Sequence, residues 1–255
     1  QEIFFYRFLI AYIGIWAISP KHLFADNLKD ELWLVAGGVF GGSLYFFTEN
    51  TALGITQASN VAFIICTAPL LTTILSLLFY KSEKATKGLI YGSLLALIGV
   101  GLVVFNGSVV LKLSPVGDLL TLLAALSWAF YSLVIKRMTG RYPTVFITRK
   151  IFFYGVLTIL PAFLLHPLQP DFDVLLQPLV LSNLLFLAVL ASLICYILWN
   201  VVLKQLGTMR ASNYIYLNPL VTMVASVLIL HEQITWITLM GAACIILGVY
   251  LAEKK

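Results

Sequence analysis

Few residues in this chain have the type and spacing to do chemistry. Glu49 stands in Tyr45-Phe-Phe-Thr48-Glu49-Asn50-Thr51 and is the only acidic residue placed clearly within a long apolar run. It lies about 6 Å below the end of that run at the helical rise. A carboxylate in hydrocarbon costs roughly 2.5–3.5 kcal/mol on insertion scales, so it should face water or a protein-lined interior. There it could bind a cationic group or a proton, and the alternative is a hydrated helix end. Tyr45, Asn50, Trp128, Tyr131, Trp199, Asn200, Tyr216 and Asn218 also lie in apolar runs. Each joins a polar tip to an apolar body or is an amide, which suits a cavity for amphipathic organic solutes. Polar residues in lipid also serve as interhelical glue, and that reading stays open beside the first.

Pro69 and Pro219 fall near the middle of two apolar runs. Each removes a helix hydrogen bond and crowds the carbonyl four residues back, at Ile65 and Ile215. Helices interrupted at matching depths point to a transport site, with packing kinks as the alternative. Catalytic signatures are absent from the sequence. There is no H-E-x-x-H, no G-x-S-x-G, no Asp pair and no mid-run His, so neither an enzyme, a metal site nor a cofactor is expected. Cys66, Cys195 and Cys244 sit singly in apolar runs and read as small buried thiols.

These side chains must be held by membrane-spanning helices. Of 255 residues, 61% are apolar and 11% charged, against roughly 45–50% and 25% in soluble domains. Such a chain cannot cover itself with polar surface, which excludes a soluble domain, a coiled coil and a basic nucleic-acid binder. Runs long enough for a bilayer occur at 3–19, 33–53, 58–80, 88–106, 117–138, 144–166, 179–203, 211–230 and 235–252. Backbone groups in lipid must pair internally, so these nine read as helices of an all-α integral membrane protein. All but two, Arg7 and Lys112, of the 16 basic residues are counted on one face. The positive-inside rule then makes the net charge of +5 a topology signal and puts the C-terminus in the cytoplasm. Trp33 and Trp236 open their runs as interfacial anchors.

The chain also repeats itself. Glu83-Lys-Ala-Thr86 and Glu232-Gln-Ile-Thr235 are followed, at equal spacings, by Gly92 and Gly99 or by Gly241 and Gly248. Upstream, Gly54-Ile-Thr-Gln-Ala58-Ser59-Asn60 matches Gly207-Thr-Met-Arg-Ala211-Ser212-Asn213, with Pro69-Leu70 and Pro219-Leu220 between. Matched turns carry opposite charge character, as expected of an inverted-topology repeat. The first repeat is residues 1–110 with four spans, and the second is 111–255 with five. A helix matching 117–138 is missing ahead of residue 1, so a native protein of ten spans is expected.

Gly117-Asp118-Leu-Leu-Thr-Leu-Leu-Ala124-Ala125-Leu-Ser127-Trp128-Ala129-Phe-Tyr131 resembles the sixth helix of EamA-type members of the drug/metabolite transporter superfamily. The paired Pro, Glu-x-x-Thr and Gly segments resemble that family's fourth-to-fifth and ninth-to-tenth helices, and Phe5-Tyr6-Arg7-Phe8 the start of its second. The resemblance covers essentially the whole chain and implies a secondary transporter of small organic metabolites, such as an exporter of amino acids or related compounds. Alternating access would act around a midplane cavity between the repeats, in the plasma membrane (the bacterial inner membrane). Glu49 is the coupling candidate, with a proton as a candidate partner. A channel or a non-transporting scaffold is the alternative, and an intramembrane enzyme a more remote one.

The remaining polar residues have simpler readings. Arg7 reads as a snorkelling anchor, with a gate as the alternative. His22, His166 and His231 read as surface residues at helix ends, and Thr86 and Thr235 as N-caps. Asn106-Gly107-Ser108 is a glycosylation sequon that would be silent in a bacterial cell. Gly37-Gly38, Gly41-Gly42, Gly92, Gly99 and Gly101 are expected at close helix contacts.

Overall fold

A computed structural model describes residues 1–19, 23–80, 83–106, 114–165, 167–230 and 234–254, and these are helical with no strand among them. His22, Ser108, Lys112, His166, His231 and Glu232 lie outside the described residues. The helices are α1 (Glu2–Ile18); α2 (Leu28–Gly38, continued through Val39–Ser43 into Leu44–Leu53); α3 (Ala58–Phe79); α4 (Lys87–Phe105); and α5 (Pro115–Thr139). They continue as α6 (Thr144–Leu164), α7 (Pro178–Leu206), α8 (Thr208–Ile229) and α9 (Trp236–Glu253). Among the described residues, the seven from α3 to α9 are long and apolar enough to cross a membrane. Apolar runs in the sequence number nine. The two outside this set are α1, only 17 residues long, and α2, whose apolar stretch is diluted by Gly37, Gly38, Gly41, Gly42 and the polar run Thr48–Thr51.

Thr86 and Thr235 do cap α4 and α9. Their hydroxyls accept from the N–H of Leu89 at 3.1 Å and of Thr238 at 3.2 Å. Each occupies one orphan donor of a helix start, worth about 1 kcal/mol.

The chain forms two compact units. The first comprises 1–47 and 130–205. Phe8 lies at its centre, fully buried, with the rings of Phe4, Phe152 and Tyr196 at 4.3, 5.0 and 5.7 Å. Its helices approach closely where glycines allow it. A Cβ on Gly38 would come within 2.4 Å of Tyr154, and one on Gly41 within 2.3 Å of the Tyr131 ring.

Charged groups are buried in this unit too. By sequence, Arg149 and Lys150 belong with the surface charges of one face. In the structure they sit inside α6, at 2% and 3% exposure. Arg149 donates to the Ser19 carbonyl, and Lys150 donates to the Leu23 carbonyl at 3.1 Å and pairs with Glu31. Buried Asp30 receives Arg141 at 2.8 Å and the Tyr142 hydroxyl at 3.1 Å. The Arg141 hydrogen bond holds the Asp30 carboxyl, ahead of the membrane-spanning part of α2, below its ordinary pKa. Buried charges survive only when paired and hydrogen-bonded, and here that pairing staples the α1–α2 connection to the α5–α6 corner.

The second unit comprises 48–129 and 206–255. Cys66, Ala96, Val100, Tyr216, Ile245 and Val249 form its apolar centre. Cys195, expected to be a buried thiol, is instead exposed on α7, since an apolar run in lipid has an outward face as well as an inward one.

Candidate functional site

Two helices of the second unit are interrupted near their middles. In α3 the helix stops at Ile65, passes through Cys66–Thr67 and resumes at Ala68 with Pro69 in its first turn. The Thr67 hydroxyl donates to the Ile64 carbonyl at 2.7 Å, alongside the Thr67 N–H at 2.9 Å. In α8 the helix Thr208–Asn213 tightens to 3₁₀ geometry over Tyr214–Leu217 and resumes at Asn218, again with proline next. Proline fits the first turn of a restarted helix because it has no N–H to donate.

A cavity of about 600 Å³ opens beside both interruptions, lined by Glu49, Ser59, Ile65, Cys66, Asn106, Asn218, Pro219, Thr222 and Thr238 among others. Three of the sequence candidates, Glu49, Asn218 and Pro219, therefore share one wall. Glu49 is half-buried and the only charged side chain among the described residues that line it. The remaining surface is mostly apolar, with Leu53, Val61, Val103 and Met223 contributing. Such a space accepts an organic body on its apolar wall and a polar or cationic end at Glu49 and the amides.

Asn106 enters this site through its place at the end of α4. It ends α4 in the left-handed region, at φ 42°. Its side-chain oxygen accepts the Thr238 hydroxyl at 2.9 Å and that of Thr235. Asparagine tolerates this conformation better than most residues, and that was the readable signal. Cys66 and Thr222 gave none.

The other candidates fall elsewhere. Tyr131 and Asn200 lie in the first unit at zero exposure. The Tyr131 hydroxyl donates to Asn200 Oδ1 at 2.7 Å, and Asn200 Nδ2 donates to Thr148 Oγ1 at 2.8 Å. Tyr216 is buried among the apolar groups around Cys66. Tyr45, Trp128 and Trp199 are half-buried and Asn50 is exposed. Arg7 turns inward, donating to Ser192 at 2.8 Å and lying 4.7 Å from the Phe46 ring centre.

Both α2 and α7 also widen into π-helical turns, at Val39–Ser43 and Phe186–Ile194. The Tyr196 hydroxyl donates to the Gly41 carbonyl within the first of these, at 2.5 Å. A π turn displaces carbonyls from their ordinary helix partners, and a buried one needs another donor.

Comparison with known proteins agrees with the architecture. A solved crystal structure superimposes with a TM-score of 0.78 over 98% of this chain and 86% of its own, at 18% identity, which establishes the fold. An "Uncharacterized transporter" of Archaeoglobus fulgidus is 28% identical over 98% of this chain and 86% of its own length. A "Probable amino-acid metabolite efflux pump" of Salmonella typhimurium is 27% identical over 91% of this chain and 80% of its own. These names point to transport rather than catalysis, and with seven apolar helices they make this an integral membrane protein. Residues 1–105 and 115–253 match the EamA-like transporter family, and the chain belongs to that family.

Proposed function

We propose that this protein is a secondary active transporter exporting small organic metabolites, such as amino acids or related compounds, by alternating access. One observation carries the reading: Glu49, Asn218 and Pro219 line a single cavity beside the interruptions of α3 and α8. Its volume of about 600 Å³ lies within the roughly 300–1,000 Å³ of small-molecule sites. Broken helices present backbone N–H and C=O groups at mid-depth, where a polar solute can use them. The efflux-pump names of the Salmonella and Escherichia coli relatives support both the direction and the substrate class. Glu49 is the coupling group, taking a proton or a substrate ammonium in turn. The inverted repeats 1–110 and 111–255 rock to expose the cavity on alternate sides. The one-sided distribution of basic residues supports an inner-membrane protein with its C-terminus in the cytoplasm.

The test is flux in proteoliposomes across amino acids and related amines, with and without an imposed proton gradient. Saturable, gradient-driven uphill movement is expected. Glu49→Gln should abolish the uphill component and leave downhill exchange. Unchanged uphill flux in Glu49→Gln would remove the coupling role. Flux linear in substrate would favour a channel.

A further inference from the structure

We propose that a second pocket, at the basic end of the second unit, binds the phosphate of a phospholipid headgroup. The turn between α3 and α4 and the turn between α7 and α8 enclose about 290 Å³ there, and Lys84 and Arg210 both line it. Gly207 makes the corner at φ +78°. The two threonine hydroxyls of the wall are already engaged: Thr86 caps the Leu89 N–H at 3.1 Å and Thr208 meets Ser76 at 3.0 Å. Among the described residues neither Lys84 nor Arg210 is in an ion pair, so the two cations are the groups available to a ligand.

Charge and floor select the ligand. Among the described residues of the lining there are two cations and one carboxylate, Glu83, a net charge of one positive. That matches the single negative charge of a phosphodiester. Leu89, Met209 and Ala252 close its base as a buried cluster, and the apolar side chain that the lining leaves exposed is Leu206. A lipid has acyl chains to lay against that side chain, whereas free phosphate does not. The pocket lies where helices end, at the level of headgroups, and basic pockets between spanning helices are suited to them. It is separate from the cavity at Glu49, with which it shares no lining residue.

The experiment places the purified protein in phosphatidylcholine bilayers and titrates phosphatidylglycerol, reading melting temperature and, by native mass spectrometry, retained lipid. Melting temperature should rise with phosphatidylglycerol. Lys84→Gln and Arg210→Gln should each need about tenfold more of it, the loss expected of one charge-assisted hydrogen bond. Lys29→Gln, an exposed charge of the first unit, should leave the response unchanged. Counting retained lipid scores a variant even where it melts early. An equal response in the Lys84 and Arg210 variants, or an equal loss in Lys29→Gln, would overturn the site. Inorganic phosphate alone reproducing the rise in detergent would overturn the lipid assignment in favour of a soluble phosphate ligand.

Discussion

Gly92 on α4 and Gly248 on α9 meet backbone to backbone. A Cβ on Gly92 would lie 2.4 Å from the Gly248 carbonyl oxygen, and one on Gly248 would lie 2.6 Å from that of Gly92. Gly99 and Gly241 repeat the relation at 2.6 and 2.7 Å. The matched Glu-x-x-Thr motifs place Gly92 at the spacing of Gly241 and Gly99 at that of Gly248, so exchanging the two motifs turns one contact into the other. Gly248→Val should therefore fail to pack, because the opposing atoms are main chain and cannot move aside. A loss of roughly 1–3 kcal/mol is expected, read as a lower melting temperature and a lower folded yield in detergent. Gly140→Ala, where an added Cβ meets nothing closer than 3.9 Å, should show no such loss.

Tyr131 and Asn200 are fully buried and bonded to each other within the first unit. Tyr131→Phe should cost about 0.5–2 kcal/mol of stability through the lost hydrogen bond. The apparent affinity for the transported solute should stay unchanged. A weakened affinity at unchanged stability would return Tyr131 to the substrate site.

Thr222 is exposed on the lining of the cavity. In a Cys66→Ser, Cys195→Ser, Cys244→Ser background, a membrane-permeant thiol reagent should modify Thr222→Cys, because a reactive thiol must be accessible, and transported solute should slow that modification. Equal rates with and without solute would place the binding site away from this cavity.

Acid should loosen the α1–α2 connection. The folded-state pKa of Asp30 is lowered by its hydrogen bond from Arg141. Its stabilisation is thus complete above the unfolded carboxylate value of about 3.9 and is lost as pH falls through the lower folded value. The melting temperature should hold from pH 7 to about pH 5 and decline below about pH 4. Asp30→Asn should start lower and show a shallower decline.

Much of the fold was legible from residues alone. Hydropathy located the long helices, seven of which among the described residues are apolar enough to cross a membrane, because hydrocarbon forbids unpaired backbone groups. Thr86 and Thr235 marked helix starts because their hydroxyls have a local task, and Pro69 and Pro219 marked the depth at which α3 and α8 break. The facing of each helix was not legible. In a soluble helix one stripe is apolar and the other polar, so phase can be read. In α4 the lipid-facing and protein-facing residues are both apolar, and the pattern carries no direction. Tertiary packing alone therefore sent Tyr131 and Asn200 into the buried network of the first unit and set Glu49, Asn218 and Cys66 on one cavity of the second. It also buried Arg149 and Lys150, which a side-by-side count of charges could only treat as surface. The chain's order determined which segments enter the membrane, and contacts between distant segments decided which polar groups pair with one another and which line the cavity.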